Sequence, residues 1–215
     1  MGAIARNIAN NITTSGVFTS SAIANSSVTG ITVLANASDG ITFISSQTAS
    51  NSASLSFTSG IDSTYKAYKF VFVNINPATD TTEFTFNFST DGGSNYNVTK
   101  TSTVFRAFHN EADTATELQY KSDQDLAQST GFQILSAEIG NGADESASGN
   151  LTIFNPSSTT YVKHFISTSN VYYSSDFTFN YYVAGYGNTT SAVNAIRFQM
   201  SSGNFDGTIY LYGIK

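Results

Sequence analysis

Alternation of apolar and polar positions dominates the chain from about residue 41 onward and predicts a series of β-strands. In "EFTFNFS", Phe84, Phe86 and Phe88 alternate with polar residues. The same period of two recurs in "YKAYKFVFVNI", "NLTIFN", "TYVKHFIS", "DFTFNYYVAG", "AVNAIRFQM" and "GTIYLYGI". Aromatic and β-branched residues at this period are typical of half-buried strands. The pattern therefore predicts an all-β domain over residues 41–215, in which antiparallel sheets pack face to face as a β-sandwich.

The apolar side of these strands also predicts the core of the sandwich. One residue of each alternating pair faces the opposite sheet, so the large apolar residues on that side are expected to be buried. The predicted core residues are Phe70, Phe72, Phe84, Phe86, Phe88, Ile153, Phe165, Phe198 and Leu211.

One long stretch lacks the alternation. Residues 109–130, "HNEADTATELQYKSDQDLAQST", carry much of the acid of the chain. Without a period of two, this stretch is predicted to be a surface loop, with one helical turn at "DTATELQY".

Residues 1–40 differ in composition from the rest of the chain, with no Tyr and Phe18 as the single Phe. Ile4, Ile8 and Ile12 recur every four residues, which predicts one apolar stripe of a short helix. A helix of about ten residues is marginal alone in water, so a disordered terminus is the alternative. The predicted organisation is an N-terminal arm, a short helix plus an extended segment, followed by the sandwich.

The arm has too few large apolar residues to repay its ordering entropy by packing on itself. We therefore expect it to become ordered through contacts with other chains, either sister subunits or another protein. The predicted assembly or docking contacts are Ile4, Ile8, Ile12, Val17 and Phe18.

Charge and cysteine content narrow the classes of partner. The net charge is -6 at pH 7, charged residues make up 11% of the chain, and basic residues are scattered, which argues against nucleic acid as a partner. No Cys is present, so disulfides and thiolate metal sites are excluded.

No apolar run approaches ~18 residues, so no membrane span is predicted. The N-terminus lacks the pattern of a secretory signal, which favours synthesis and assembly in the cytoplasm.

The stretch "FSTDGGSNYN" is a candidate site because it resembles an Asp-box, S-x-D-x-G-x-T-W, with Asn95 and Tyr96 at the last two positions. In sialidase-like propellers this motif recurs once per blade, but here it is found once. Asp91 can cap turn amides, while Gly92 and Gly93 can supply positive φ. A structural hairpin is the favoured interpretation. The alternative is a calcium site with Asp91 as its carboxylate, for which the spaced acidic ladder is missing.

A second candidate site lies in "FHNEAD", where His109, Glu111 and Asp113 alternate and could bind Zn²⁺ or Ca²⁺ from one strand face. A solvated acidic loop is the favoured interpretation. His164 alternates with apolar neighbours and is predicted to be packed in the core.

No G-x-S-x-G, H-E-x-x-H or phosphate-binding Gly loop is present. We predict no enzymatic activity and no cofactor or metal, although paired carboxylates of a glycoside hydrolase could meet in three dimensions.

Tyrosines are the strongest pointer to a binding surface. They cluster in "NVYYSSDFTFNYYVAGYGN", and adjacent pairs place one ring on each face of a strand. An exposed Tyr is a contact residue of low conformational entropy for proteins and for sugar rings, although burial in the core is the alternative. The candidate contact aromatics are Tyr172, Tyr173, Tyr181, Tyr182 and Tyr186.

Several stretches resemble a β-rich domain that is widespread in virion structural proteins of marine tailed phages. They include "ISSQTASNSASLSFTSGIDSTYKAYKFVFVNINPATD", "FRAFHNEAD", "GNLTIFNPSSTTYVKHFIS", "VAGYGNTTSAVNAIRFQMSSGN" and "GTIYLYGIK", and they span about residues 41–215. The resemblance implies a jelly-roll-like sandwich and homotrimeric assembly on the particle. It carries no active-site residues to this chain.

These features together predict a capsid decoration (cement) protein of a phage virion, docked on the major capsid protein or another virion protein. A receptor-binding tail fibre or tip protein that contacts host glycans is the alternative. A secreted glycan-active enzyme is a third hypothesis, from a different class.

Overall fold

The computed structural model describes residues 40–215. These residues form β-strands and no helix, and therefore no helix that could cross a membrane. The strands are β1 (Ile41–Ser52), β2 (Leu55–Phe57), β3 (Ala67–Pro77), β4 (Thr82–Ser89), β5 (Lys100–Asn110), β6 (Thr116–Tyr120), β7 (Gln133–Ile139), β8 (Ala147–Phe154), β9 (Lys163–Tyr173), β10 (Phe177–Gly187), β11 (Ala195–Met200) and β12 (Phe205–Ile214). The predicted all-β class is confirmed.

The strands form two antiparallel sheets with the winding of a jelly roll. The large sheet has eight strands in the order β1-β12-β3-β8-β9-β10-β5-β6, and the small sheet has four in the order β2-β11-β4-β7. Early strands pair with late ones in both sheets, since β1 and β3 flank β12 while β2 and β4 flank β11. This nested pairing of early and late strands is how two Greek keys build a jelly roll. The predicted jelly-roll-like sandwich is therefore confirmed.

Four strands make the large sheet wider than the small one. β9 and β10 follow β8 in both sequence and space, and β5 and β6 continue the sheet beyond β10. β10 and β5 meet in a continuous register in which Tyr182 lies opposite Phe105. β5 and β6, at this end of the large sheet, thus extend past the edge of the small sheet. The side of the large sheet that faces away from the small sheet is called the outer face below.

The core lies between the sheets and is rich in phenylalanine. All nine predicted core residues are buried, with exposed fractions of 0% or 1%. Phe84 and Phe198 stack with ring centroids 5.7 Å apart, and Phe86 meets Phe165 of the opposite sheet edge-on at 5.1 Å. Edge-on and offset ring pairs of this kind add to the free energy gained by burying their apolar area. The core therefore holds the sandwich together without disulfides.

The prediction for residues 109–130 is wrong in part. β6 (Thr116–Tyr120) replaces the expected helical turn and pairs with β5. The Asn110 side chain accepts hydrogen bonds from the backbone N–H groups of Thr114 and Ala115 at 2.9 and 2.8 Å, which closes a tight turn. Leu118 and Tyr120 then alternate over a strand too short for its period to stand out in the sequence. His109 and Asn110 are the last residues of β5, and the remainder of the stretch is the predicted loop.

Candidate functional site

Most of the exposed large apolar side chains of the described residues lie on the outer face. Tyr161, which is 68% exposed, lies instead in the loop between β8 and β9. The outer-face members are Ile41, Phe43, Val73, Phe105, Leu118, Tyr120, Phe154, Ile166 and Tyr182, with exposed fractions from 36% to 70%. Strand alternation places them all on one side, because their sequence neighbours point into the core. The outer face is therefore the strongest candidate site.

A row of aromatic rings crosses the outer face on β6, β5 and β10. Phe105 lies opposite Tyr120 on one side and Tyr182 on the other. Phe105 and Tyr182 stack with ring centroids 4.9 Å apart and ring planes 11° from parallel. Asn180 donates a hydrogen bond to the Tyr182 hydroxyl at 2.8 Å and so fixes that ring. The row presents a preorganised, solvent-facing aromatic surface.

A shallow depression of about 440 Å³ adjoins this row on β9, β10 and β5. Ala184 lies at its floor, because this small residue takes the next outward position of β10 after the much larger Tyr182. The His164 and Tyr186 rings, with centroids 6.3 Å apart, stand at one end. Ile166 and Thr103 also line it. The depression can accept an apolar side chain from a partner.

The outward strand positions of this part of the outer face carry no acidic side chain, although the loop residues Asp125 and Asp176 accept hydrogen bonds from the Tyr120 and Tyr172 hydroxyls at the ends of the strands. Among the described residues, the outward positions of β3, β8, β9, β10, β5 and β6 hold Lys69, His109 and His164 but no Asp or Glu. Glu117 of β6 alternates with the outward Leu118 and so belongs to the other side. The chain nevertheless has a net charge of -6, so its carboxylates lie elsewhere, mostly in loops.

The structure divides the five predicted contact tyrosines between the two faces. Tyr172, Tyr182 and Tyr186 occupy outward positions on β9 and β10. Tyr173 points inward and stacks on Phe179 with centroids 5.1 Å apart. The expectation that Tyr181 is exposed is wrong, because it is fully buried.

Tyr181 instead belongs to a polar cluster that closes the inner side of the extended sheet. Arg106 donates to the Tyr181 hydroxyl at 2.9 Å and to the Glu138 carboxylate. The Arg106 guanidinium lies 4.3 Å from the centroid of the Phe179 ring. Burial raises the pKa of Tyr181 to about 12 despite the nearby guanidinium. The cluster is structural, since its groups are directed at one another.

The Asp-box-like turn is also structural. Asp91 accepts hydrogen bonds from the Ser89 hydroxyl at 2.6 Å, the Asn95 backbone N–H at 2.9 Å and the Asn95 side chain at 2.7 Å. These hydrogen bonds lower the pKa of Asp91 to about 2. The turn is not a hairpin, because β4 lies in the small sheet and β5 in the large one. It caps a crossover between sheets.

Neither histidine occupies a metal cluster. His109 Nε2 lies 3.0 Å from Asp113 Oδ1, and both side chains are exposed. Among the described residues, no three His, Cys, Asp or Glu side chains are grouped so that they could hold a metal ion. The prediction that His164 is packed is wrong: His164 is exposed on the outer face, because Lys163 and Phe165 take the inward positions of β9.

Sequence reasoning missed most of the outer face. The contributions of Phe105, Ile166, Leu118 and Tyr120 were not predicted, although one signal was present. "TVFRAF" and "KHFIS" carry large apolar residues at both alternating positions, which indicates a strand buried on one side and apolar on the other. The predicted contacts Ile4, Ile8, Ile12, Val17 and Phe18 lie outside the described residues.

Comparison with family models, with curated proteins and with solved structures finds no match to this chain.

Proposed function

We propose that this chain is a non-enzymatic structural protein of a tailed-phage virion. It acts as a capsid decoration protein, assembles as a homotrimer in the host cytoplasm, and docks on the major capsid protein or another virion protein. The observation that carries this proposal is the broad apolar outer face of a jelly-roll sandwich. Contiguous exposed apolar patches of this kind mark sites of protein–protein interaction.

The composition of the chain supports the same function. Charged residues make up 11% of the chain, and its polar surface is built mainly from Ser, Thr, Asn and Gln. Neutral polar side chains cost less to desolvate than charged ones, so many copies can pack side by side. The sequence resemblance to a virion domain of marine phages adds a specific setting for such packing.

A receptor-binding fibre or tip protein is the second candidate. The stacked pair of Phe105 and Tyr182 favours it, because exposed aromatic rings of fixed orientation are efficient contact residues. In that case Tyr186, beside His164, would extend the contact surface toward a host glycan.

Localisation of the chain in the virion tests the proposal. We expect density for the sandwich in many copies over the head of the phage in a particle reconstruction. A few copies confined to the tail would support the fibre function instead. Absence of the chain from purified virions, measured by mass spectrometry, would overturn both.

A further inference from the structure

We propose that the outer face of the large sheet is the surface through which copies of this chain associate, with a second copy as the occupant. The inference rests on the self-association in the proposed function and not on its location in a virion. It is argued from the described residues alone.

Exposed apolar side chains are grouped on the outer face. Ile166 is 52% exposed on β9, and Leu118 is 70% exposed on β6, and β10 and β5 lie between these two strands in the sheet. Phe105 and Tyr182 lie between them as a stacked pair. A monomer surface scatters its exposed apolar residues, whereas these form one connected face.

The distribution of charge favours a second copy as the occupant of the outer face. Two copies of this chain carry the same net charge of -6 and repel each other. They can approach most closely where carboxylates are fewest. Among the described residues, the outward positions of β3, β8, β9, β10, β5 and β6 carry none, and loop carboxylates such as Asp125 on Tyr120 and Asp176 on Tyr172 reach only the ends of these strands. A basic partner would instead be drawn to the acidic loops. The depletion of acidic residues therefore favours a second copy.

The area of the outer face matches that of a protein–protein interface. These six strands span about 24 Å across the sheet and about 33 Å along it, or roughly 800 Å². A stable protein–protein interface buries about 800 Å² on each partner. The outward side of these strands, on which Thr, Ser and Asn positions lie among the apolar ones, is thus as large as one side of a standard interface. A single glycan would leave most of it exposed.

Charge insertion tests the location of the interface. We expect full-length protein to be oligomeric by native mass spectrometry, and Ile166→Lys to weaken association by roughly 30-fold or more. Thr103→Lys, at an exposed outward position beside the depression, is the second variant in case Ile166→Lys fails to fold. Tyr161→Lys is the matched control, because Tyr161 is exposed but lies off the face, and it should leave the oligomer unchanged.

Thiol labelling tests the occupant, since the chain has no cysteine of its own. In the oligomer, an Ile166→Cys thiol should react with maleimide at least about tenfold more slowly than a Tyr161→Cys thiol. The proposal is overturned if the Ile166→Cys and Tyr161→Cys thiols are labelled at equal rates and the oligomer also persists in the Ile166→Lys and Thr103→Lys variants. In that case the interface lies elsewhere. A monomeric full-length protein would overturn it too. Slow labelling of Ile166→Cys in that monomer would identify residues 1–39 of the same chain as the cover.

Discussion

Lys100 donates a hydrogen bond from Nζ to Asn87 Oδ1, and neither side chain reaches solvent. Nζ also donates to the Val98 carbonyl at 2.8 Å. The Asn87 amide in turn donates to the carbonyls of Tyr96 and Thr130 at 2.8 and 2.9 Å. Lys100 is thus satisfied by neutral acceptors and, within the described residues, has no carboxylate partner. Burial consequently lowers its pKa to about 7.

This buried lysine predicts that stability rises with pH above neutrality. The pKa of Lys100 falls from 10.5 to about 7 on folding, so between these values the unfolded state binds more protons. The free energy of unfolding should therefore increase by roughly 2–3 kcal/mol between pH 7 and pH 9.5. Urea titrations across this range would measure the increase. Above about pH 10 the raised pKa of Tyr181 acts in the opposite direction, because unfolded chains lose that proton first.

The Lys100→Met variant tests whether Lys100 causes this pH dependence of stability. The variant should be at least as stable as the parent at pH 7, and its stability should depend less on pH. Lys163, also buried and with its pKa lowered by burial, accounts for the slope that remains. Lys66→Met, at an exposed position, should keep the full slope. An unchanged slope in Lys100→Met would contradict the assignment.

The Arg106 cluster predicts a large loss of stability on truncation. Arg106→Ala removes the hydrogen bonds to Tyr181 and Glu138 together with the stacking on Phe179. The Arg106 side chain is largely buried but the Glu138 carboxylate is 32% exposed, so solvent screens the pair on one side and a loss of about 2 kcal/mol or more is expected. Denaturant unfolding should show this loss.

Arg197→Ala is the comparison variant. The guanidinium of this half-buried arginine lies 4.1 Å from the centroid of the Tyr96 ring and Nε donates a hydrogen bond to the Ser56 hydroxyl, whereas within residues 40–215 it has no carboxylate partner. A cation–π contact of this kind contributes about 1 kcal/mol. Similar losses in Arg106→Ala and Arg197→Ala would mean that the buried cluster contributes no more than an ordinary surface contact.

Gly207 is a position at which the addition of a single methyl group should be costly. Its φ is +136°, and a Cβ there would lie 2.8 Å from both the Asn74 carbonyl oxygen and Ile75 Cδ1. Gly207→Ala should lower the free energy of unfolding by about 2 kcal/mol or more, because it adds a steric clash to an unfavourable φ. Gly92→Ala is the control: its φ is +72° but nothing lies within 4 Å, so about 1 kcal/mol is expected. Equal shifts in thermal unfolding would exclude the clash.

The sequence predicts the strands better than it predicts their partners. Period-two alternation is a local property, so Phe84, Phe86 and Phe88 could be assigned to the core directly. Whether β4 continues into a hairpin or crosses to the other sheet depends on long-range pairing, which the "STDGGSN" turn does not encode. His164 shows the same limit, because both sides of β9 carry apolar residues and the choice of the inward side is made by the opposite sheet. The outer face is likewise visible only once four strands from distant segments lie side by side.

Deletion of residues 2–39 should separate self-association from attachment to a particle. The buried Phe cluster lies entirely within the described residues, so the truncated chain should fold with near-parental thermal stability. It should also remain oligomeric, because the outer face is retained. Attachment to phage particles should be lost, since the predicted docking contacts, among them Ile4, Ile8 and Ile12, are removed.

Sedimentation of the truncated protein, alone and with particles stripped of the native protein, measures self-association and attachment separately. A folded but monomeric truncation would assign self-association to residues 2–39, whereas particle binding at parental occupancy would show that the sandwich itself docks.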